Sequence, residues 1–232
     1  FVSGLPTERV SISRTSTLSR ALSYFFKYRI NEVLRHGDYQ AQIIYSGGDD
    51  LFIIGNWCDV IYAAVDIRQA LDDYTGNGTL TISGGIGMYG PTYPIARMAA
   101  ETGKLEGAAK AFESGIGTKN AIALWTSEAV FGWDEFTDEV MPRVQEVRGM
   151  FEGNDKGSSF IYRLIDLLRD FKSVASAPRI AYLLARSFED DKAEGAEASR
   201  RIYAWAQDDA ERRRLVAAME WYVCSVREGS AE

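Results

Sequence analysis

A chain of 232 residues, 46% of them apolar, has material for one large or two small cores, and its net charge of −7 is the wrong sign for a free-standing nucleic-acid binder. No apolar run reaches the length of a membrane span and residues 1–12 lack a signal-peptide pattern, so a cytoplasmic protein without membrane contact is expected. Cys58 and Cys224 stand far apart with no CxxC neighbours, which points to neither a disulfide framework nor a zinc site.

Hydrophobic spacing predicts a helix from about Ser13 to Arg35, with Leu18, Leu22, Phe25, Phe26, Ile30, Val33 and Leu34 near one face and Gly37 closing it. Two apolar runs of strand length follow, hinged on Ser46-Gly47-Gly48-Asp49-Asp50. A helix of roughly Asp59 to Tyr74, a turn at Asn77-Gly78 and a strand from Thr79 to Met88 come next. Pro91 and Pro94 punctuate the entry to a helix through Ala111, and Asn120 to Trp125 forms a short apolar strand. This order is a ferredoxin-like βαββαβ palm without its first strand, because only residues 1–10 precede the first helix. From about Asp134 the pattern is helical throughout, giving an α+β fold class with a small all-α bundle at the end. The expected division is a palm over residues 1–148, with Asp134 to Arg148 as a bridging helix, and a helical bundle over 149–232, with a linker near residues 152–158. Pro178 opens one bundle helix, and Phe188 to Ala198 reads as a charged loop.

The hinge carries the chemistry. Asp49 and Asp50 repel each other, so a fold that sets them together at a hairpin tip calls for a cation between them, typically Mg²⁺ carrying a nucleotide phosphate. Gly47 and Gly48 suit that reading by allowing positive φ and close approach of a triphosphate. The same residues also read as an ordinary Gly-rich turn with solvated aspartates. Gly84 and Gly85, inside an apolar strand, suggest a bulge or the close approach of another backbone or a ligand.

The arrangement resembles the palm of nucleotide cyclases and GGDEF-type diguanylate cyclases, with GGDD at the core and with Ala109-Lys110 and Lys119-Asn120 following as in that pattern. The segments Ser11 to Phe26, Tyr45 to Gly55 and Ile82 to Lys110 resemble, more specifically, the large signature subunit of type III CRISPR effector complexes, the Csm-type best of all. That resemblance implies an ATP-using nucleotidyltransferase that makes cyclic oligoadenylates for antiviral defence once target RNA is bound. It assigns Asp49 and Asp50 to Mg²⁺ or Mn²⁺ and catalysis, and Ser46, Gly47, Gly48, Gly84, Gly85 and Lys110 to the nucleotide, with the two strand glycines leaving space for an adenine.

The resemblance also implies partners: the other effector subunits, small helical ones among them, and CRISPR RNA and target RNA through the complex. Family members carry a further aspartate on a first palm strand, an earlier palm and often an HD nuclease. None of these lies in this sequence, and His36 is followed by Gly37, so the chain reads as the C-terminal part of a larger subunit. Exposed parts of Trp205, Trp221 and Tyr222 would then form a docking surface. The basic residues of the first 35 positions and Arg212-Arg213-Arg214 read either as solvated helix faces or as RNA contacts. Two other functions stay open: a catalytically silent scaffold that orders RNA and subunits, and a diguanylate-cyclase-like enzyme using GTP.

Overall fold

The computed structural model describes residues 12–76, 80–114, 117–151, 158–171, 175–188 and 193–229. Two units divide between Gly132 and Trp133. The boundary expected after Arg148 differs from this, since the predicted bridging helix belongs to the second unit.

The first unit begins with α1 (Ile12–Tyr24), a π turn (Phe25–Arg29) and α2 (Ile30–His36). In the π turn the Ile30 N–H bonds the Phe25 carbonyl five residues back, which widens the helix there. Gly37 keeps a right-handed conformation at the helix end, and the left-handed residue is Asp38 (φ 52°). Glycine at 37 has another use: a Cβ there would run into the Tyr39 ring, which would have to shift. The hairpin β1 (Ala41–Gly47) and β2 (Asp50–Gly55) comes next, then α3 (Trp57–Thr75), opened by the Asn56 side chain, which accepts from the Cys58 and Asp59 amides, and closed by Gly76 in the left-handed region. Phe25, Phe26, Ile30 and Leu34 meet Ala63, Ile67 and Leu71 of α3, and Ala41, Ile43, Leu51 and Ile53 of the hairpin cover that core. Burying Phe25 or Ile30 completely is worth about 1.5–3 kcal/mol each.

The turn expected at Asn77-Gly78 lies outside the described residues. Within the described part of the strand expected over Thr79 to Met88, β3 (Gly84–Ile86) forms a ladder in parallel with β6 (Ala121–Leu124), which pairs antiparallel with β7 (Val130–Gly132). Between them come α4 (Ile95–Ala111) and a minimal ribbon of β4 (Glu113–Ser114) and β5 (Gly117–Thr118). The hairpin and the β3-β6-β7 sheet are not hydrogen-bonded to each other. In a ferredoxin-like palm the first strand lies between them, and no such strand occurs among the described residues.

The second unit opens with α5 (Trp133–Glu135), a second π turn (Phe136–Val140) and α6 (Met141–Phe151), followed by α7 (Ser158–Arg169), α8 (Ser176–Ser187), α9 (Ala193–Gln207) and α10 (Asp209–Gly229). Trp221 of α10 stacks on Phe136 at 6.2 Å and Tyr222 meets Phe151 at 5.9 Å, which draws the expected bridging helix into this core. Trp221 and Tyr222 are therefore buried and offer a partner nothing, while Trp205 is half-buried under Arg143, whose guanidinium lies 3.8 Å from its ring centre. Of the charged loop expected over Phe188 to Ala198, residues 193–198 are helical, because α9 starts at Ala193, and residues 189–192 lie outside the described residues. The arginine triplet is internally neutralised: Arg214 bonds Glu135 (2.9 Å) and Glu211 (2.6 Å), Arg213 lies 3.4 Å from Glu135, and Arg212 pairs with Asp209.

Glu220 on α10 faces Arg169, and burial pushes its carboxyl above the usual glutamate range although the arginine pulls the other way. A carboxyl raised in the folded state favours the protonated form, so its contribution holds at low pH and is lost as pH rises through the folded value. Glu220→Gln should raise the melting temperature of the chain at neutral pH, and the gain should shrink on acidification below the ordinary glutamate range; a constant gap across that range would contradict the assignment.

Candidate nucleotide site at the hairpin tip

The tip is a two-residue turn, Gly48-Asp49, between paired Gly47 and Asp50. Gly48 has φ +67° with open space where a Cβ would sit, while Asp49 is not among the residues of positive φ, as in a type II′ turn with glycine at its first position. Asp49 and Asp50 are both exposed. The turn thus displays two adjacent carboxylates on a backbone that a glycine alone accommodates without strain.

A β-bulge sets what lies behind them. Ile43 pairs with Ile53 but Tyr45 pairs with Phe52, so Ile44 is an extra residue and the alternation of β1 changes phase. Ser46 and Leu51 consequently face the helices, and the Ser46 hydroxyl donates to the Phe26 carbonyl in the π turn (2.9 Å). Tyr45 turns to the opposite face, 56% exposed, with its hydroxyl 2.5 Å from where a Cβ on Gly47 would be. Sequence reading missed Tyr45, since unbroken alternation would have put it in the core.

Lys110, in the last turn of α4, ion-pairs with Glu106 at 2.5 Å. Its ammonium is held above the ordinary lysine range, first by that hydrogen bond, against an opposing effect of burial, and then by the charges of Glu106, Asp50 and Asp49. The structure therefore brings Lys110 into the field of the tip carboxylates. Glu106 was not singled out from sequence, although its spacing of four from Lys110 was the available signal.

Of the readings open for the strand glycines, the close approach of another backbone holds at Gly85 and the bulge does not. Gly84 and Gly85 pair in regular register with Ile122 and Ala123, so there is no bulge. A Cβ on Gly85 would lie 2.6 Å from the Leu105 Cβ and closer still to the Glu106 backbone nitrogen. The space at Gly85 is taken by α4 and not left for an adenine.

Among the described residues no group of three or more His, Cys, Asp or Glu side chains is placed to share a metal ion. Two hard carboxylates fit Mg²⁺ nonetheless, since that ion commonly takes one or two carboxylates and completes its shell with water and substrate phosphates. No helix among them is long and apolar enough to cross a membrane.

Known proteins share both units. The second palm domain of Cas10/Cmr2 matches residues 2–123, and the second helical domain of the Cmr2 subunit of the CRISPR RNA silencing complex matches residues 135–228. The chain belongs to the Cas10/Cmr2 family. It is 41% identical over 230 residues to the subtype III-A Cas10/Csm1 CRISPR system single-strand-specific deoxyribonuclease of Enterococcus italicus, covering 98% of this chain and 29% of that protein. The Mycobacterium tuberculosis protein of the same description is 37% identical over 238 residues, 96% of this chain and 29% of the relative. A crystal structure of a Csm1–Csm4 cassette in complex with pppApApA shares the fold, with TM-score 0.61 at 22% identity over 91% of this chain and 34% of that one. A cassette in complex with cA3 gives TM-score 0.54 at 25% identity over 88% and 33%. This Cas10/Cmr2-family chain thus spans about 29% of the length of the relatives it matches. The interval between the two domain matches contains the division at Gly132 and Trp133.

Removing the Ser46 hydroxyl tests its role between strand and helix. Ser46→Ala should lower the stability of the chain by about 1 kcal/mol, the worth of one hydrogen bond, as read from denaturant unfolding. A stability equal to that of the parent would free the hydroxyl from this role.

Proposed function

We propose that this chain is the nucleotidyl-transfer palm and adjoining helical domain of a type III effector large subunit, and that the palm takes part in joining ATP into cyclic oligoadenylates when target RNA is bound. The observation that carries the reading is the pair Asp49 and Asp50, exposed on a glycine turn, with Lys110 inside their field. Support comes from the solved Csm1–Csm4 cassettes, whose complexes contain AMPPNP, pppApA and cA3.

In this reading Asp49 and Asp50 would hold Mg²⁺ or Mn²⁺, which when bound would stabilise the charge developing on the attacking 3′-oxygen and on the leaving pyrophosphate. Gly48 leaves its side of the turn open to a triphosphate, Gly47 would admit one only beside the Tyr45 hydroxyl, and Gly84 remains a candidate neighbour of the nucleotide. Lys110 supplies a point charge to the phosphates. The bond formed joins a 3′-oxygen to an α-phosphorus, the bond broken releases pyrophosphate, and the hydroxyl proton passes to water, so no side chain need serve as a strong base. The helical unit scaffolds the assembly with the remaining effector subunits, CRISPR RNA and target RNA.

The test is product analysis by mass spectrometry after giving the complete complex ATP, Mg²⁺ and target RNA. The Asp49→Ala/Asp50→Ala pair should cut cyclic product roughly a hundredfold or more while the complex still assembles. Normal yield from that double variant would remove both carboxylates from the site and favour the scaffold reading.

A further inference from the structure

We propose that Gly85 and Glu106 are positioning residues for Lys110: Gly85 seats α4 against β3, and Glu106 holds the lysine ammonium until a phosphate displaces it. This rests on the nucleotide-binding reading of Lys110. Helix α4 has two fixed points. Near its start, Glu101 accepts the Tyr93 hydroxyl at 2.6 Å, and Tyr93 stacks on Tyr89 with ring centres 5.0 Å apart. Further along, the backbone at Leu105 and Glu106 lies so near Gly85 that any side chain at 85 must push it away. The helix cannot yield cheaply, because Leu105 and Ala109 are packed against Ala121, Ala123 and Val130.

Lysine is long and flexible, so moving its backbone would ordinarily be absorbed. Here the ammonium is tied to Glu106, whose own backbone nitrogen is the atom nearest position 85. Displacing the helix moves carboxylate and ammonium together relative to Asp49 and Asp50. The tie also has a cost for the ligand: a phosphate must compete with the Glu106 carboxylate for the ammonium and approach a like charge. Glu106 therefore restrains affinity while it sets position, and the two substitutions act in opposite directions.

The experiment uses the full-length subunit in its assembled complex with target RNA and measures the KM for ATP and kcat. Gly85→Ala should raise KM roughly three- to tenfold and Glu106→Gln should lower it roughly two- to fivefold, each with kcat within about twofold of the parent. In a Lys110→Ala background the Gly85→Ala shift should vanish and the Glu106→Gln shift should shrink to the part owed to like-charge repulsion, as a double-mutant cycle requires of residues that act through that lysine. Either shift persisting undiminished without Lys110, or an active Glu106→Gln complex with parental KM, overturns the proposal. If Gly85→Ala prevents assembly, the Glu106 and Lys110 cycle decides alone, since both side chains are partly exposed and tolerate substitution. The Asp49→Ala/Asp50→Ala control separates the two levels. Synthesis surviving in that variant defeats the nucleotide reading, whereas its loss together with a cycle lacking Lys110 dependence defeats only the positioning role.

Discussion

The palm depends on the phase of one strand. In β1 every residue faces either the helices or the open side, and the extra residue Ile44 reverses that assignment just before the tip. Without the reversal, Tyr45 would be driven toward Phe26 and Ser46 would face out. With it, a small hydroxyl meets a helix carbonyl, the large phenol lies on the open side beside Gly47, and the turn carries its carboxylates into solvent. The electrostatic arrangement around Asp49, Asp50 and Lys110 is built on this backbone geometry.

The helical unit obeys a different constraint. Four of its aromatic residues, Phe136, Phe151, Trp221 and Tyr222, turn inward into one packed group, while Tyr162, Tyr182 and Tyr203 are exposed. Its charges are also paired inward: Arg143 is buried, bonds Glu211 at 2.6 Å and stacks on Trp205, while Arg214 spans Glu135 and Glu211. These pairs hold the Glu211 carboxyl below the usual range although burial pushes it up. Three consecutive arginines in a sequence look like a basic patch; folded beside Glu135, Asp209 and Glu211 they become a helix clamp.

The elements of the palm were legible because their signals are local. Apolar spacing located α1 to α4, and the glycines of the tip announced a turn whose first residue needs positive φ. The features that stayed hidden depend on partners distant in sequence. Strand β3 is short because only three of its residues find β6, and the purpose of Gly85 appears only when α4 packs across it. The bulge at Ile44 leaves no compositional trace in an apolar run, so the outward turn of Tyr45 could not be read. The same holds for Trp221 and Tyr222, because aromatic residues of a small bundle serve a core or an interface equally well until the neighbouring helices are placed.

The hydroxyl bridge between Ser46 and Phe26 joins two irregularities of the same kind. A π turn and a β-bulge are each the result of inserting one residue into a regular element. Removing one residue from the helix would rotate its N-terminal part by about 100° relative to its C-terminal part, and removing one from the strand would turn its tip over. Either deletion alone separates hydroxyl from carbonyl. The lengths of this helix and this strand are therefore set jointly, and insertions or deletions in relatives should be found at the two places together or at neither.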